Sequence, residues 1–182
     1  MTPSPLSGLH KQVWTAMLAA LIVVGAMVQL PIGPVPVTLQ TFFIVLAGLA
    51  LGPMHGAAAM LLYILAGAIG LPVFAGGKAG FAHLLGPTGG YLIGYIGTAF
   101  LAGMGSSQPP RTASFMKSLL WSLAGLCAVY LAGVLRLKFV LDISYTKAFS
   151  IGMVPFVIAD MLKVAGAVVA YRFLHSRRLL PS

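Results

Sequence analysis

Charged residues are scarce in this chain of 182 residues: they make up 7% of it, and only two of them are acidic. Soluble domains carry about 25% charged residues. With 59% hydrophobic residues and a mean hydropathy of +1.01, the chain has too few polar side chains to cover a surface facing water. This composition excludes a soluble enzyme, a secreted domain and a disordered segment. It predicts an integral membrane protein.

Cysteine is almost absent as well. The single Cys127 lies within an apolar run, which excludes an intrachain disulfide and a cysteine-based metal site. The histidines are scattered without metal-binding spacing; they are His10, His55, His83 and His175. We therefore expect neither a metal nor a cofactor.

The scarcity of acidic residues leaves a formal net charge of +9. No basic cluster is larger than Arg172, Arg177 and Arg178, so we expect no nucleic-acid partner. Most cations flank apolar runs, where they orient helices in a membrane. With the N-terminus inside, the inner cations are Lys11, Arg111, Lys117, Arg172, Arg177 and Arg178. The outer cations are Lys78, Arg136, Lys138 and Lys147. This majority predicts a multi-pass cell-membrane protein with both termini in the cytoplasm, although it leaves the outer cations at 136–147 unexplained.

The apolar runs predict one transmembrane domain over residues 1–182, all-α, with six helices. A spanning helix needs about 20 mostly apolar residues, and Pro/Gly clusters and charges mark the breaks. The predicted helices cover residues 13–30, 38–51, 53–70, 88–104, 115–135 and 151–174. The second and third are separated at Gly52-Pro53, where Pro53 takes a first helical position; one long kinked helix is the alternative. The first run is too long for a signal peptide and lacks a clean cleavage site.

Small residues recur at a spacing of four. The glycine rows are Gly48, Gly52 and Gly56, and Gly86, Gly90 and Gly94. Such rows let helices approach closely, and we expect these two to pack helices within the chain. Ala16 and Ala20 repeat the spacing on the first helix, where their face is a candidate surface for docking another membrane protein.

The most informative pair is Asp160 and Lys163. An ionised group at membrane depth costs several kcal/mol unless it is paired or hydrated. At a spacing of three, both side chains project from one helical face. The pair is therefore either a self-satisfied structural ion pair or part of a ligand site, and we favour the ligand site.

Proline-rich residues 30–37 form the second candidate feature. Three prolines within six positions cannot make a helix, and an apolar irregular segment must be buried or cover a cavity. We expect a lid between helices 1 and 2. Thr38 is a candidate N-cap for the second helix, and Gln40 adds an amide donor and acceptor.

A glycine-rich segment, residues 70–91, is the third feature, because glycine allows close backbone approach to a ligand. It is not a Walker phosphate loop: Pro72 replaces its first glycine, and Ala79 replaces the Ser or Thr after Lys78. The chain is thus not expected to bind ATP. Phe74 and Tyr91 are packing anchors or ligand contacts, and His83 is a weaker candidate to line the site.

Four motifs together resemble the BioY family, the biotin-binding substrate-specificity components of energy-coupling-factor transporters. They are GPVPVTLQ (33–40), GLPVFAG (70–76), GPTGGY (86–91) and Asp160-x-x-Lys163. The resemblance runs from helix one to helix six. It implies a six-helix protein that captures biotin from the outer side, with the loop between helices 1 and 2 capping the ligand.

The family's helix-six Asp and Lys, matched here by Asp160 and Lys163, contact biotin. Its Ala-x-x-x-Ala, matched by Ala16 and Ala20, docks the transmembrane coupling subunit, which works with two ATPase subunits. The predicted ligand-binding residues are Asp160, Lys163, Gln40, Thr38, Phe74, Gly76, Gly77, Lys78, Gly86 and Tyr91. Which of Asp160 and Lys163 meets the ureido group and which meets the carboxylate stays open.

The expected partners are biotin, membrane lipid, the coupling subunits and, as one option, a second copy of the chain. Two other functions remain. One is an S-component or small secondary transporter for another vitamin. The other is an intramembrane enzyme, against which stands the lack of a nucleophile–base pair or metal set.

Overall fold

The computed structural model describes residues 5–31, 33–107 and 114–181. Its helices are α1 (Pro5–Met27), α2 (Gln40–Ala68), α3 (Phe81–Leu85), α4 (Gly89–Met104), α5 (Phe115–Leu141), α6 (Tyr145–Gly152) and α7 (Val157–Ser176). Two short antiparallel strands, β1 (Gln29–Leu30) and β2 (Val37–Thr38), pair Gln29 with Thr38 and Leu30 with Val37. Ile32 of the predicted lid and Arg111 of the orientation count lie outside the described residues.

The described ranges form an all-α membrane protein. By length and composition, three helices can cross a membrane, at Gly8–Met27, Gln40–Ala68 and Phe115–Leu141. The pair α6 and α7, bent by 48°, makes a fourth candidate span. Helix α4 is apolar but shorter.

Helix α2 reverses direction at Gly52. This residue has φ 80° and ψ 177°, a conformation open essentially to glycine alone. A Cβ on Gly56 would lie 2.7 Å from the Gly48 Cα, and Gln40 and Tyr63 line one cavity, although a straight helix would separate them by about 34 Å. Residues 40–51 and 53–68 therefore form two antiparallel helices. The chain breaks between the two helices predicted here, and the alternative of one long kinked helix does not hold.

Three other helix limits differ from the predicted ones. Helix α1 covers Pro5–Met27 and so begins and ends earlier than the predicted 13–30. It ends earlier because Gln29 and Leu30 pair as a strand. Helix α5 continues past 135 to Leu141, because the guanidinium of Arg136 donates to the Leu85 carbonyl and so has a partner within the protein. A helix over 151–174 is wrong at its start.

The chain instead forms two helices there, α6 and α7, with a break that contains Pro155. Proline cannot donate a backbone hydrogen bond and clashes with the preceding turn. Ser144 caps α6 by accepting from the Lys147 backbone N–H at 3.3 Å. The predicted outer loop thus contains a helix.

Glycines allow α4 and α5 to pack closely against each other, as the glycine rows predict. A Cβ on Gly94 would lie 2.6 Å from the Val129 Cα, and one on Gly125 would lie 2.9 Å from the Thr98 Cα. The Thr98 hydroxyl also donates to the Gly125 carbonyl at 2.8 Å. These contacts fix two helices that each contribute side chains to the site.

The alternating helix directions bring three connections to one end of the bundle. They are residues 28–39, 69–88 and 142–156. Side chains from all three, or from the helix turns beside them, line a single cavity. The site therefore lies at this end of the molecule.

Candidate functional site

A cavity of about 670 Å³, counted out to its open mouth, lies between the three connections. Its lining places a few polar groups among apolar ones, as small-molecule sites do. Its lining residues are Val35, Pro36, Thr38, Gln40, Thr41, Tyr63, Phe74, Ala75, Lys78, His83, Thr88, Tyr91, Leu92, Tyr95, Val129, Tyr130, Phe156 and Asp160.

The Asp160 carboxylate is the most connected group of the cavity. Oδ1 accepts from the Thr41 hydroxyl at 3.0 Å and from the Lys163 ammonium at 2.9 Å. Oδ2 accepts from the Tyr130 hydroxyl at 2.7 Å. Since a carboxylate oxygen accepts two hydrogen bonds, the protein fills Oδ1 and leaves one acceptor position on Oδ2.

A chain of hydroxyl groups extends this network to α4. Thr41 gives its proton to Asp160, so the Tyr95 hydroxyl, 3.2 Å away, must donate to Thr41. The network thus ties α7 to α2, α4 and α5. Such fully satisfied buried networks hold side chains in one arrangement.

Lys163 stands beside the cavity and is not among its lining residues. Its side chain is 14% exposed and forms an ion pair with Asp160. Lys163 therefore contacts the carboxylate, while Asp160 itself lines the cavity.

The side chains of Gln40 and Thr38 contact each other at the start of α2. The Thr38 hydroxyl donates to Gln40 Oε1 at 3.2 Å and accepts from the Gln40 backbone N–H at 3.4 Å. The N-cap position itself belongs to Leu39, so the predicted N-cap at Thr38 is wrong by one residue. The reason is that Thr38 pairs in β2 with Gln29 of β1.

The glycine-rich segment folds around Phe74. The Phe74 backbone N–H donates to the Lys78 carbonyl at 2.9 Å, and the Gly77 N–H donates to the Phe74 carbonyl at 2.9 Å. Gly76 and Gly77 have φ of 75° and 73°, a region that favours glycine. These two glycines and Gly86 shape the segment but do not line the cavity; Gly76 packs against the side chain of Gln29.

The Phe74 ring stacks on His83, with ring centroids 5.0 Å apart, and His83 Nε2 lies 3.1 Å from the Thr88 hydroxyl. Burial, and secondarily the charge of Lys78, lowers the pKa of His83. His83 is therefore neutral at neutral pH, and Lys78 is the cation that lines this wall of the cavity.

Tyr91 lines the cavity with its ring while its hydroxyl donates to the Gly152 carbonyl at 2.7 Å. The ring packs flat against Gly133 of α5. Tyr91 is therefore a packing anchor and also part of the cavity wall, and its contact with a ligand stays a prediction.

Several lining residues were not predicted from the sequence. Chief among them are Thr41, Tyr63 and Tyr130. Their one visible signal is a polar group within an apolar run, which cannot by itself distinguish a side chain that faces a cavity from one that faces a neighbouring helix.

Ala16 and Ala20 lie on the outer surface of α1, and both are exposed. The same face carries Val13 and Met17, while Leu18 and Ile22 on the opposite face are buried. The two alanines therefore do not pack against other helices of the described chain.

Three comparisons agree on the relatives of this chain. It is 46% identical over 155 residues to the probable biotin transporter BioY of Pyrococcus horikoshii, covering 85% of this chain and 89% of that protein. It is 46% identical over 154 residues to the biotin transporter BioY of Thermotoga maritima, covering 84% and 89%. A crystal structure of the S-component for biotin from an ECF-type ABC transporter superposes with a TM-score of 0.86 at 30% identity, covering 96% and 95% of the two chains.

The model of the BioY family matches residues 1–179. The match includes all four motifs on which the resemblance rested, so that prediction is confirmed. The chain belongs to the BioY family.

Proposed function

We propose that this chain captures biotin and serves as the substrate-binding component of an energy-coupling-factor transporter, without enzymatic activity of its own. The observation that carries the proposal is the Asp160 carboxylate, buried at one end of a largely apolar cavity with an acceptor position left on Oδ2. Biotin combines an apolar bicyclic body with ureido N–H donors and an anionic tail. The names of the relatives support the same ligand.

We infer the orientation of biotin from the positions of the charges. Asp160 is buried and can accept a ureido N–H, whereas Lys163 already binds Asp160 and lies beside the cavity. Lys78 lines the cavity from the glycine-rich segment and is placed to attract the valerate carboxylate. Of the two assignments left open by the sequence, this one gives the ureido group to Asp160.

The placement in the membrane is part of the proposal. The chain crosses six times, with α1, the two halves of α2, α4, α5 and the α6–α7 pair as the crossings. Both termini lie in the cytoplasm and the cavity opens to the outer side. The gathering of residues 28–39, 69–88 and 142–156 at one end supports this arrangement, and so does the majority of cations at the other end.

Competition binding tests the ligand. Purified protein is loaded with labelled biotin and challenged with biotin, thiamine or riboflavin. We expect displacement by unlabelled biotin and none by equal concentrations of the other two. Displacement by thiamine or riboflavin, or no binding of biotin, would favour an S-component or secondary transporter for another vitamin.

A further inference from the structure

Two residues of α2 that line the cavity each carry a buried polar atom without a hydrogen-bond partner among the described residues. These atoms are Nε2 of Gln40 and the hydroxyl of Tyr63. Gln40 is 4% exposed and Tyr63 is 1% exposed, and both line the cavity. The two side chains are neighbours, yet no hydrogen bond of acceptable geometry joins them. Buried polar groups are nearly always paired, so this exception points to a ligand.

Both atoms are hydrogen-bond donors. The Thr38 hydroxyl accepts from the Gln40 backbone, which leaves its proton for Gln40 Oε1. The amide oxygen is thereby occupied, and the amide nitrogen carries the protons that have no partner among the described residues. The Tyr63 hydroxyl has one proton to give.

The other polar wall of the cavity is an acceptor. Asp160 on α7 presents a carboxylate, so the cavity carries donors on α2 and an acceptor on α7. A planar group with N–H on one side and a carbonyl oxygen on the other satisfies both walls, and the cyclic urea of biotin is such a group. The third unpartnered buried atom, Nε of Arg136, belongs to a residue outside the cavity lining.

We propose that Gln40 and Tyr63 bind the ureido oxygen and that this pair selects a cyclic urea over a cyclic guanidine. The inference rests on the proposed function and adds to it. A site built to hydrogen-bond one group of a ligand rejects analogues without that group, because the buried partners are then left unpaired. The selectivity therefore comes from the oxygen, and Asp160 alone does not provide it.

The test compares biotin with 2-iminobiotin, in which an imino group replaces the ureido oxygen. This group is protonated at neutral pH and cannot accept from Gln40 or Tyr63. We expect the wild-type protein to prefer biotin, and Tyr63→Phe to lower biotin affinity about tenfold while changing 2-iminobiotin affinity by less than about twofold. The matched control is Tyr145→Phe, which removes the same hydroxyl from an exposed ring and should change neither affinity.

A second measurement applies when 2-iminobiotin binds too weakly to titrate. Biotin labelled with ¹³C at the ureido carbonyl gives an isotope-edited infrared band whose frequency falls with hydrogen bonding. We expect the band of bound biotin to shift upward in Tyr63→Phe and in Gln40→Leu relative to the wild type. An unchanged band, or an equal loss of affinity for both ligands, would overturn the proposal.

These outcomes are separable from a failure of the proposed function. If the wild-type protein does not bind biotin, the proposed function fails. If it binds biotin but neither the infrared band nor the ligand preference changes when Tyr63 or Gln40 is substituted, only the ureido-oxygen assignment fails.

Discussion

At the scale of single residues, the Asp160 carboxylate is the polar centre of the cavity. It accepts from two hydroxyl groups and one ammonium group, and among the described residues Lys163 is its ion-pair partner. A hydrogen bond to a charged group is stronger than one between neutral groups. Removing either charge should therefore weaken every contact that the carboxylate makes, including a contact to the ligand.

We expect Asp160→Asn or Lys163→Met to weaken biotin binding at least tenfold, or about 1.4 kcal/mol. The asparagine keeps the shape of the side chain but loses the charge, while the methionine leaves the carboxylate buried without its cation. Equilibrium binding to purified protein measures both. Lys147→Met, on the exposed side of α6, is the matched control and should bind as the wild type does. Unchanged affinity in both site variants, with the fold intact, would refute the assignment of this pair to the site.

The sequence identifies the charged residues of the site better than the neutral ones. Asp160 and Lys163 can be identified from the sequence because a charged residue within an apolar run is energetically costly and indicates a function. Tyr63 and Tyr130 are hidden because helices in a membrane are apolar on all sides, so periodicity does not mark the face that turns inward. Their positions depend on the reversal at Gly52 and on the close packing of α4 on α5, which arise from contacts between distant parts of the chain.

At the scale of elements, the β1–β2 hairpin borders the cavity through Val35 and Pro36. Its strands are only two residues long, and Val35, 6% exposed, points inward and lines the site with Pro36. So short a ladder contributes little rigidity. The prolines of the loop, with their fixed φ, must supply much of the order that keeps Val35 over the ligand.

Replacing both Pro34 and Pro36 with glycine should raise the dissociation rate of biotin several-fold. The loop then gains conformational freedom that binding must remove again. The release of labelled biotin under excess unlabelled ligand measures this rate. A rate equal to that of the wild type would show that the segment is only a connector.

The break before α7 shows what sequence patterns miss at this scale. Ser144 and Pro155 carry the local signals for the start of α6 and for its separation from α7, but the polar residues 145–147 resemble a loop beside a membrane helix. In contrast, Gly52-Pro53 marks a predicted break within a strongly apolar run, and the chain does break there. Break signals inside apolar sequence are therefore more informative than those at its edges.

At the scale of the whole molecule, the exposed face of α1 that carries Ala16 and Ala20 lies apart from the cavity. Ala16 and Ala20 are exposed on this face, and neither lines the cavity. Small residues at this spacing allow a second helix to approach closely. If the coupling subunit docks there, bulky side chains should block assembly without changing the site.

We expect Ala16→Trp or Ala20→Trp to leave biotin affinity nearly unchanged and to reduce uptake sharply in cells that supply the coupling subunit. Binding to purified protein and uptake in cells are measured side by side. Leu131→Trp, at an exposed position of α5, is the control and should change neither binding nor uptake. A parallel loss of binding and uptake would mean that the two alanines serve the fold and not docking.

The Asp160 network also constrains how this molecule can change over evolution. Its hydrogen bonds to Thr41 and Tyr130 fasten α7 to α2 and α5, so any substitution that retunes the carboxylate for a new ligand also loosens three helices. Val35, Phe74 and Lys78 line the same cavity from the connecting segments. The hydrogen bonds of Asp160 that join the helices do not involve their side chains. A relative that adapts to a modified ligand is therefore expected to change these connecting segments first and to keep the helical polar network intact.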